Sequence, residues 1–325
     1  MAAARRSAPI GSTEVHPAWS MIIFTTLAGA GQGLLLALVG VDIAAQVGLV
    51  RGAERGFFVA GAALVLSLCA AGLVAATFHL GRPMRAWRAI AMWRTSWLSR
   101  EVITLPLFMA VVFGWGWARW AGAPTLPLGS AAVLLAFALY LCTGMIYAAV
   151  AVIREWASPL TPLTFAALGI ASGLMLATAL AAFVQPALVG LLARLALAAT
   201  VLGALARAAT LWRNARLVPK TTLQTAIGVR HPRIVQKSQG AMGGSFNTRE
   251  FFHGRSLHFV RNMRVAMGLL AFALPVVVLV ATQGDIGAVG LLAVFALQYL
   301  GLLAERWVFF ADGRHPQNLY YGATS

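Results

Sequence analysis

Eight separate apolar runs, each of about 20 residues or more, constrain this chain before any other feature does. A helix of that length rises far enough, at 1.5 Å per residue, to cross ~30 Å of hydrocarbon. Lipid offers no partner to a backbone N–H or C=O, so an open strand cannot span it, whereas a helix bonds its own backbone. The sequence therefore predicts an all-α integral membrane protein, an eight-transmembrane-helix bundle. The expected spans are roughly 18–45, 57–79, 101–121, 129–153, 160–184, 187–212, 262–283 and 286–310. Composition agrees: only 10% of residues are charged, against about 25% in soluble domains. Spans five and six meet at Gln185-Pro186 with almost no loop, which predicts a tight antiparallel hairpin. Residues 1–325 read as a single membrane domain, with no internal repeat.

Charge sets the expected orientation. With eight spans, both termini and the 2–3, 4–5 and 6–7 connections share one side. Of the 25 basic residues, Arg51, Arg55 and Arg119 fall on the other side and Arg194 and Arg207 inside span six; the remaining 20 fall on the first side. Such an excess predicts cytoplasmic termini. The N-terminal arginines precede an apolar run too long for a signal peptide, so span one is expected to be retained. The net charge of +16 then forms a collar suited to anionic lipids and an acidic partner. Its dispersal around helix ends argues against nucleic acid.

Several chemistries are excluded early. Two cysteines, Cys69 and Cys142, both in spans, cannot ligate an iron–sulfur cluster. Of six histidines only His79 lies in an expected span, at its end, so paired axial ligands for haem are missing. No acids or histidines show metal-ligand spacing. Gly29-Ala30-Gly31-Gln32-Gly33 looks faintly like a dinucleotide loop, but no strand precedes it. Gly29 and Gly33 read better as a close helix contact, and Gln32 as an interhelical hydrogen bond. Arg207 and Arg194 read as snorkelling towards the two faces, and Arg154-Glu155 as a local ion pair.

What remains is the stretch 78–101, FHLGRPMRAWRAIAMWRTSWLSRE, with five arginines and three tryptophans. Structural roles account for much of it. A histidine in a last turn complements the helix dipole, Gly81 suits a left-handed cap, and Pro83 ends the helix. Arg82, Arg85 and Arg88 alternate with Met84, Trp87 and Ile90, as in a short interfacial helix with a basic face. Ser99 can cap span three, which places Glu101 in its first turn. Yet His79 and Glu101 end and begin consecutive spans, so they lie on one side of the membrane. A histidine and an acid there suit a proton-coupled reaction with a quinone: the imidazole bonds a carbonyl oxygen and the carboxyl moves a proton. The connection 213–261 is the one long polar segment. It keeps Phe246, Phe251, Phe252 and Phe259, so it reads either as a docking surface for a cytoplasmic partner or as a solvated connector.

Three stretches carry a family resemblance over essentially the whole chain: His16-Pro17-Ala18-Trp19-Ser20, Phe78-His79-Leu80-Gly81-Arg82-Pro83 and Leu98-Ser99-Arg100-Glu101. They resemble the membrane anchor subunit of dimethyl-sulfoxide-reductase-type molybdoenzymes. The arginine-rich 82–100 segment and GGSFNTREFF (243–252) are more like the anchor of the cytoplasmic sulfite-oxidising complex. The resemblance implies an anchor in a bacterial inner membrane that binds ubiquinone or menaquinone and no haem. It implies an iron–sulfur subunit docked on the cytoplasmic face and a molybdopterin catalytic subunit beyond it. The histidine of HLG and the acid of the next span, His79 and Glu101, would exchange protons with quinone, and His79, Gly81, Arg82 and Glu101 would bind it. The expected function is then quinone reduction coupled to sulfite oxidation. Three alternatives stay open: a quinol-oxidising anchor of a terminal reductase, a secondary transporter, and a purely structural scaffold.

Overall fold

The computed structural model describes residues 17–50, 54–78, 80, 83–218, 222–231, 234 and 256–314. Eight long apolar helices run through it: α1 (Pro17–Gln46), α2 (Arg55–Thr77), α3 (Trp97–Ala121), α4 (Leu126–Ala148), α5 (Leu160–Val184), α6 (Pro186–Ala215), α7 (His258–Thr282) and α8 (Gly287–Ala311). The protein is thus an all-helical, multi-pass membrane bundle. Ile22 near the start of α1, Tyr147 at the end of α4, Phe165 near the start of α5, Val260 in α7 and Trp307–Phe310 at the end of α8 pack into one cluster. Those helix ends therefore share one face, called here the basic end because the arginine-rich connections lie there.

α1 sits centrally, packed against α2, α4, α5 and α8. In lipid, helices associate by close packing rather than by a hydrophobic drive, and small residues permit the approach. A Cβ on Gly33 would stand 2.1 Å from the Gly169 carbonyl oxygen, and one on Gly173 would stand 2.1 Å from the carbonyl carbon of Gly33. The close contact expected at Gly29 and Gly33 is therefore real, and α5 answers it with glycines of its own. Gly33→Ala should lower stability by about 1–3 kcal/mol or more, as overpacking does. Gly40→Ala, where a Cβ meets nothing within 4 Å, should be near neutral. Thermal unfolding of the two detergent-solubilised variants compares them directly.

The α5–α6 hairpin forms as expected: α5 stops at Val184, and α6 opens almost at once with the 3-10 turn Pro186–Leu188. Other expectations are corrected. Gln32 donates to the Ala28 carbonyl of its own helix (3.0 Å) rather than across an interface. Arg154 donates instead to the Val218 carbonyl, and Glu155 accepts from the Arg314 backbone N–H (3.3 Å). These partners are distant in sequence and close in space, so adjacency in the chain was the wrong guide. α4 ends at Ala148, five residues early, because the chain turns through 149–158 on short-range backbone bonds.

The segment Pro83–Met92 is the expected short helix, wound as 3-10. At 3.0 residues per turn, positions i and i+3 eclipse. The three-residue repeat of the sequence thus becomes straight stripes: Arg85 and Arg88 in one, Met84, Trp87 and Ile90 in another. All five side chains are exposed, Met84 at 89%. Of the 213–261 connection, a short helix Leu223–Ile227 is described, held by a Thr222–Thr225 capping box. Phe246, Phe251, Phe252 and the stretch 243–252 lie outside the described residues.

Candidate functional site

Glu101 is where the candidate site can be built. α3 begins at Trp97 because the Ser96 side chain accepts from the Ser99 N–H (3.3 Å). Ser96, not Ser99, is the cap. Glu101 is accordingly the fifth helical residue, beyond the first turn where an acid complements the dipole. Its place in the helix is set by packing instead. Glu101, Leu105, Phe108, Val112 and Trp115 follow one another at spacings of four and three, and all are buried. They form the inward ridge of α3, with an acid at its basic end.

Glu101 is 4% exposed. Its carboxylate accepts a hydrogen bond from the Thr143 hydroxyl of α4. Among the described residues it forms no ion pair, which separates it from the other buried acids in the spans. Asp42, at the far end of α1, pairs with Arg119 (3.2 Å) and accepts from Thr125 (2.8 Å), Gln46 (2.9 Å) and the Trp115 indole (3.3 Å). Glu305 lies between Arg207 (3.1 Å) and Arg306 (3.2 Å). Asp42 and Glu305 are neutralised where they stand. Glu101 has one neutral donor, and acids this buried in a membrane protein mark function by default.

Tyr147 of α4 lies four residues on from Thr143, at the same end of the bundle. Its hydroxyl is buried with no hydrogen-bond partner among the described residues, and its ring is boxed by Trp156, Phe165, Phe309 and Phe310 at 5.2–5.7 Å between centroids. The Arg306 guanidinium lies 3.4 Å above the Phe165 ring. Glu305 joins Arg306 to Arg207; Asp312 stands 4.0 Å from Arg207 and 2.7 Å from Arg264. Arg207, expected to snorkel, is therefore buried in an ionic cluster. Seven residues from Arg207 and Glu305 on the same two helices, Gln298 donates to Thr200 (3.1 Å). It also donates to the Ala271 carbonyl (3.4 Å), within the π-helical turns Met267–Ala273 of α7. The signal for this seam was in the sequence as the seven-residue spacings Thr200/Arg207 and Gln298/Glu305, polar residues on one face of two apolar helices.

Of the four expected site residues, the structure thus places Glu101. His79, Gly81 and Arg82 lie outside the described residues. Thr143 and Tyr147 are additions that the sequence did not single out. Chemically, the arrangement offers one carboxyl group able to hold or release a proton, with an adjacent hydroxyl, and, apart from it, a buried ionic cluster between α6 and α8.

Residues 13–322 match the model of the DMSO reductase anchor subunit (DmsC) family. The chain is also 50% identical over 322 residues to a sulfite dehydrogenase subunit of Allochromatium vinosum, a match that spans 94% of this chain and 99% of that protein.

Proposed function

Because the chain belongs to the DMSO reductase anchor subunit family, we propose that it is the quinone-binding anchor of a molybdopterin and iron–sulfur oxidoreductase, and that the complex oxidises sulfite. It would lie in a bacterial inner membrane with both termini cytoplasmic, as the charge bias favours. An iron–sulfur subunit would dock on the basic end, with the molybdopterin subunit beyond it. Anionic phospholipids would take the remaining arginines, Arg85 and Arg88 among them.

The overall reaction balances as sulfite, water and quinone giving sulfate and quinol. Two electrons leave sulfite on the partner subunit and two protons join the quinone here. Glu101 is the group of this chain that would pass a proton to the quinone oxygen, with Thr143 fixing the carboxyl. His79 would hydrogen-bond a carbonyl oxygen, and Gly81 and Arg82 would complete the headgroup site. The observation that supports this reading best is the buried Glu101, which among the described residues has no cation, whereas Asp42 and Glu305 have theirs. Relationship to a sulfite dehydrogenase protein favours sulfite as the donor.

The test is co-purification with the tagged chain, followed by metal analysis and sulfite-dependent quinone reduction. Molybdenum, iron and quinone reduction together are the expected result. Molybdenum and iron with quinol-driven reduction of another acceptor would reverse the direction of electron flow. A chain that brings down neither metal would overturn the anchor reading.

A further inference from the structure

We propose that a water molecule is bound inside the bundle at Gln298, where α6, α7 and α8 meet. The inference does not depend on the quinone reading. Among the described residues, nine buried side-chain nitrogen and oxygen atoms have no hydrogen-bond partner, and six of them lie along the seam between α6 and α8. Five of the six belong to Arg207, Glu305 and Arg306, where each faces an opposite charge at 3.1 to 4.0 Å. The sixth, Gln298 Oε1, belongs to a neutral amide and has no such charge. Gln298 is 1% exposed and lies near the middle of α8, so bulk water does not reach it. In hydrocarbon a carbonyl oxygen of this kind has to be satisfied from within the protein.

The amide is held from one side only. Its Nε2 donates to Thr200 Oγ1 of α6 (3.1 Å) and to the Ala271 carbonyl of α7 (3.4 Å). The Thr200 hydroxyl already gives its one proton to the Ala196 carbonyl (2.7 Å), and a carbonyl has none to give. Rotating the amide would set Oε1 against the Ala271 carbonyl, acceptor against acceptor, and would leave Nε2 unpartnered instead. The missing partner must therefore be small and able to donate, as water is. Three helices each bring it a polar atom: Gln298 Oε1, Thr200 Oγ1 and the Ala271 carbonyl. Buried waters typically take about three such partners. The Ala271 carbonyl belongs to the π-helical turns Met267–Ala273, a rare conformation met frequently at functional sites. Gln32 Oε1 is also buried and unpartnered, but among the described residues its amide bonds only the Ala28 carbonyl of its own helix. It lacks the convergence of three helices. Towards the far end the site is closed: Ala196 and Val294, one turn beyond Thr200 and Gln298, pack with Leu279 in an apolar cluster.

The test is an experimental density map of the solubilised protein, with the partners that co-purify, at a resolution that shows ordered water. The wild type should show a peak about 2.8 Å from Gln298 Oε1, and the peak should persist when sodium in the buffer is replaced by choline. Gln298→Met, which keeps the length of the side chain without its amide, should lose the peak. No wild-type peak, in a map that shows other buried waters, would overturn the proposal. So would a peak that survives in Gln298→Met, because the amide would then not be what holds it. A peak that disappears in choline would overturn it in favour of a sodium ion on the same three oxygens. Should Gln298→Met fail to fold, the two wild-type maps decide the question without it.

Discussion

Replacing Glu101 by glutamine should cut quinone-linked turnover at least tenfold while the complex still assembles. Glutamine keeps the size of the side chain and an oxygen that accepts from the Thr143 hydroxyl, so the α3–α4 contact survives. What it removes is the carboxyl group's ability to take up and give back a proton. Loss of a positioned general acid–base group typically costs 10²- to 10⁴-fold, so tenfold is the least that is expected. The fall should appear in kcat, because a proton delivered during reduction acts after the quinone has bound. On the quinone-anchor reading, dye-linked sulfite oxidation by the same preparation should be unchanged, since those electrons would leave before reaching this chain. Measuring both acceptors on one sample separates a damaged site from a damaged complex. Retention of full quinone turnover would show that the proton comes by another group.

The eight spans could be read from the sequence because the solvent demands them: a chain in lipid must close its own backbone bonds, and long apolar runs have one way to do so. The Gly33 contact was readable for a similar reason, since only close approach explains paired glycines in an apolar helix. Helix ends were less certain because Ser96 and Ser99 are equally good caps by type. The choice between them was made by packing, which puts Ser99 and Glu101 among the buried residues of α3. The seven-residue spacings marked polar faces on α6 and α8, but not which charges would pair across them. Nothing local to Arg207 says that Glu305, 98 positions later, will stand 3.1 Å away. Without that partner, snorkelling is the cheaper expectation for an arginine one or two turns from a helix end. Tyr147 escaped notice for the same reason: its box of Trp156, Phe165, Phe309 and Phe310 depends on α4, α5 and α8 converging at the basic end.

Arg207 and Arg194 therefore make a paired test, two arginines on one apolar helix with opposite expected outcomes. Arg194 is exposed near the far end of α6, and Arg194→Leu should change stability by no more than about 0.5 kcal/mol. Arg207 is 2% exposed and Glu305 is fully buried. Arg207→Leu leaves Glu305 with Arg306 alone and leaves Asp312 leaning on Arg264, which is half exposed. Breaking a buried pair from one side typically costs 3–5 kcal/mol, because the remaining charge keeps its desolvation penalty without its partner. Arg306 remains beside Glu305, so the lower part of that range, about 3 kcal/mol, is the expected loss. Arg207→Lys should recover part of it by restoring the charge but not the fork geometry of guanidinium. Thermal unfolding of the three solubilised variants gives the order directly: Arg194→Leu near wild type, Arg207→Lys intermediate, Arg207→Leu lowest. If Arg207→Leu proves as stable as Arg194→Leu, the cluster is not holding α6 to α8, and the charge at 207 does reach the membrane surface after all.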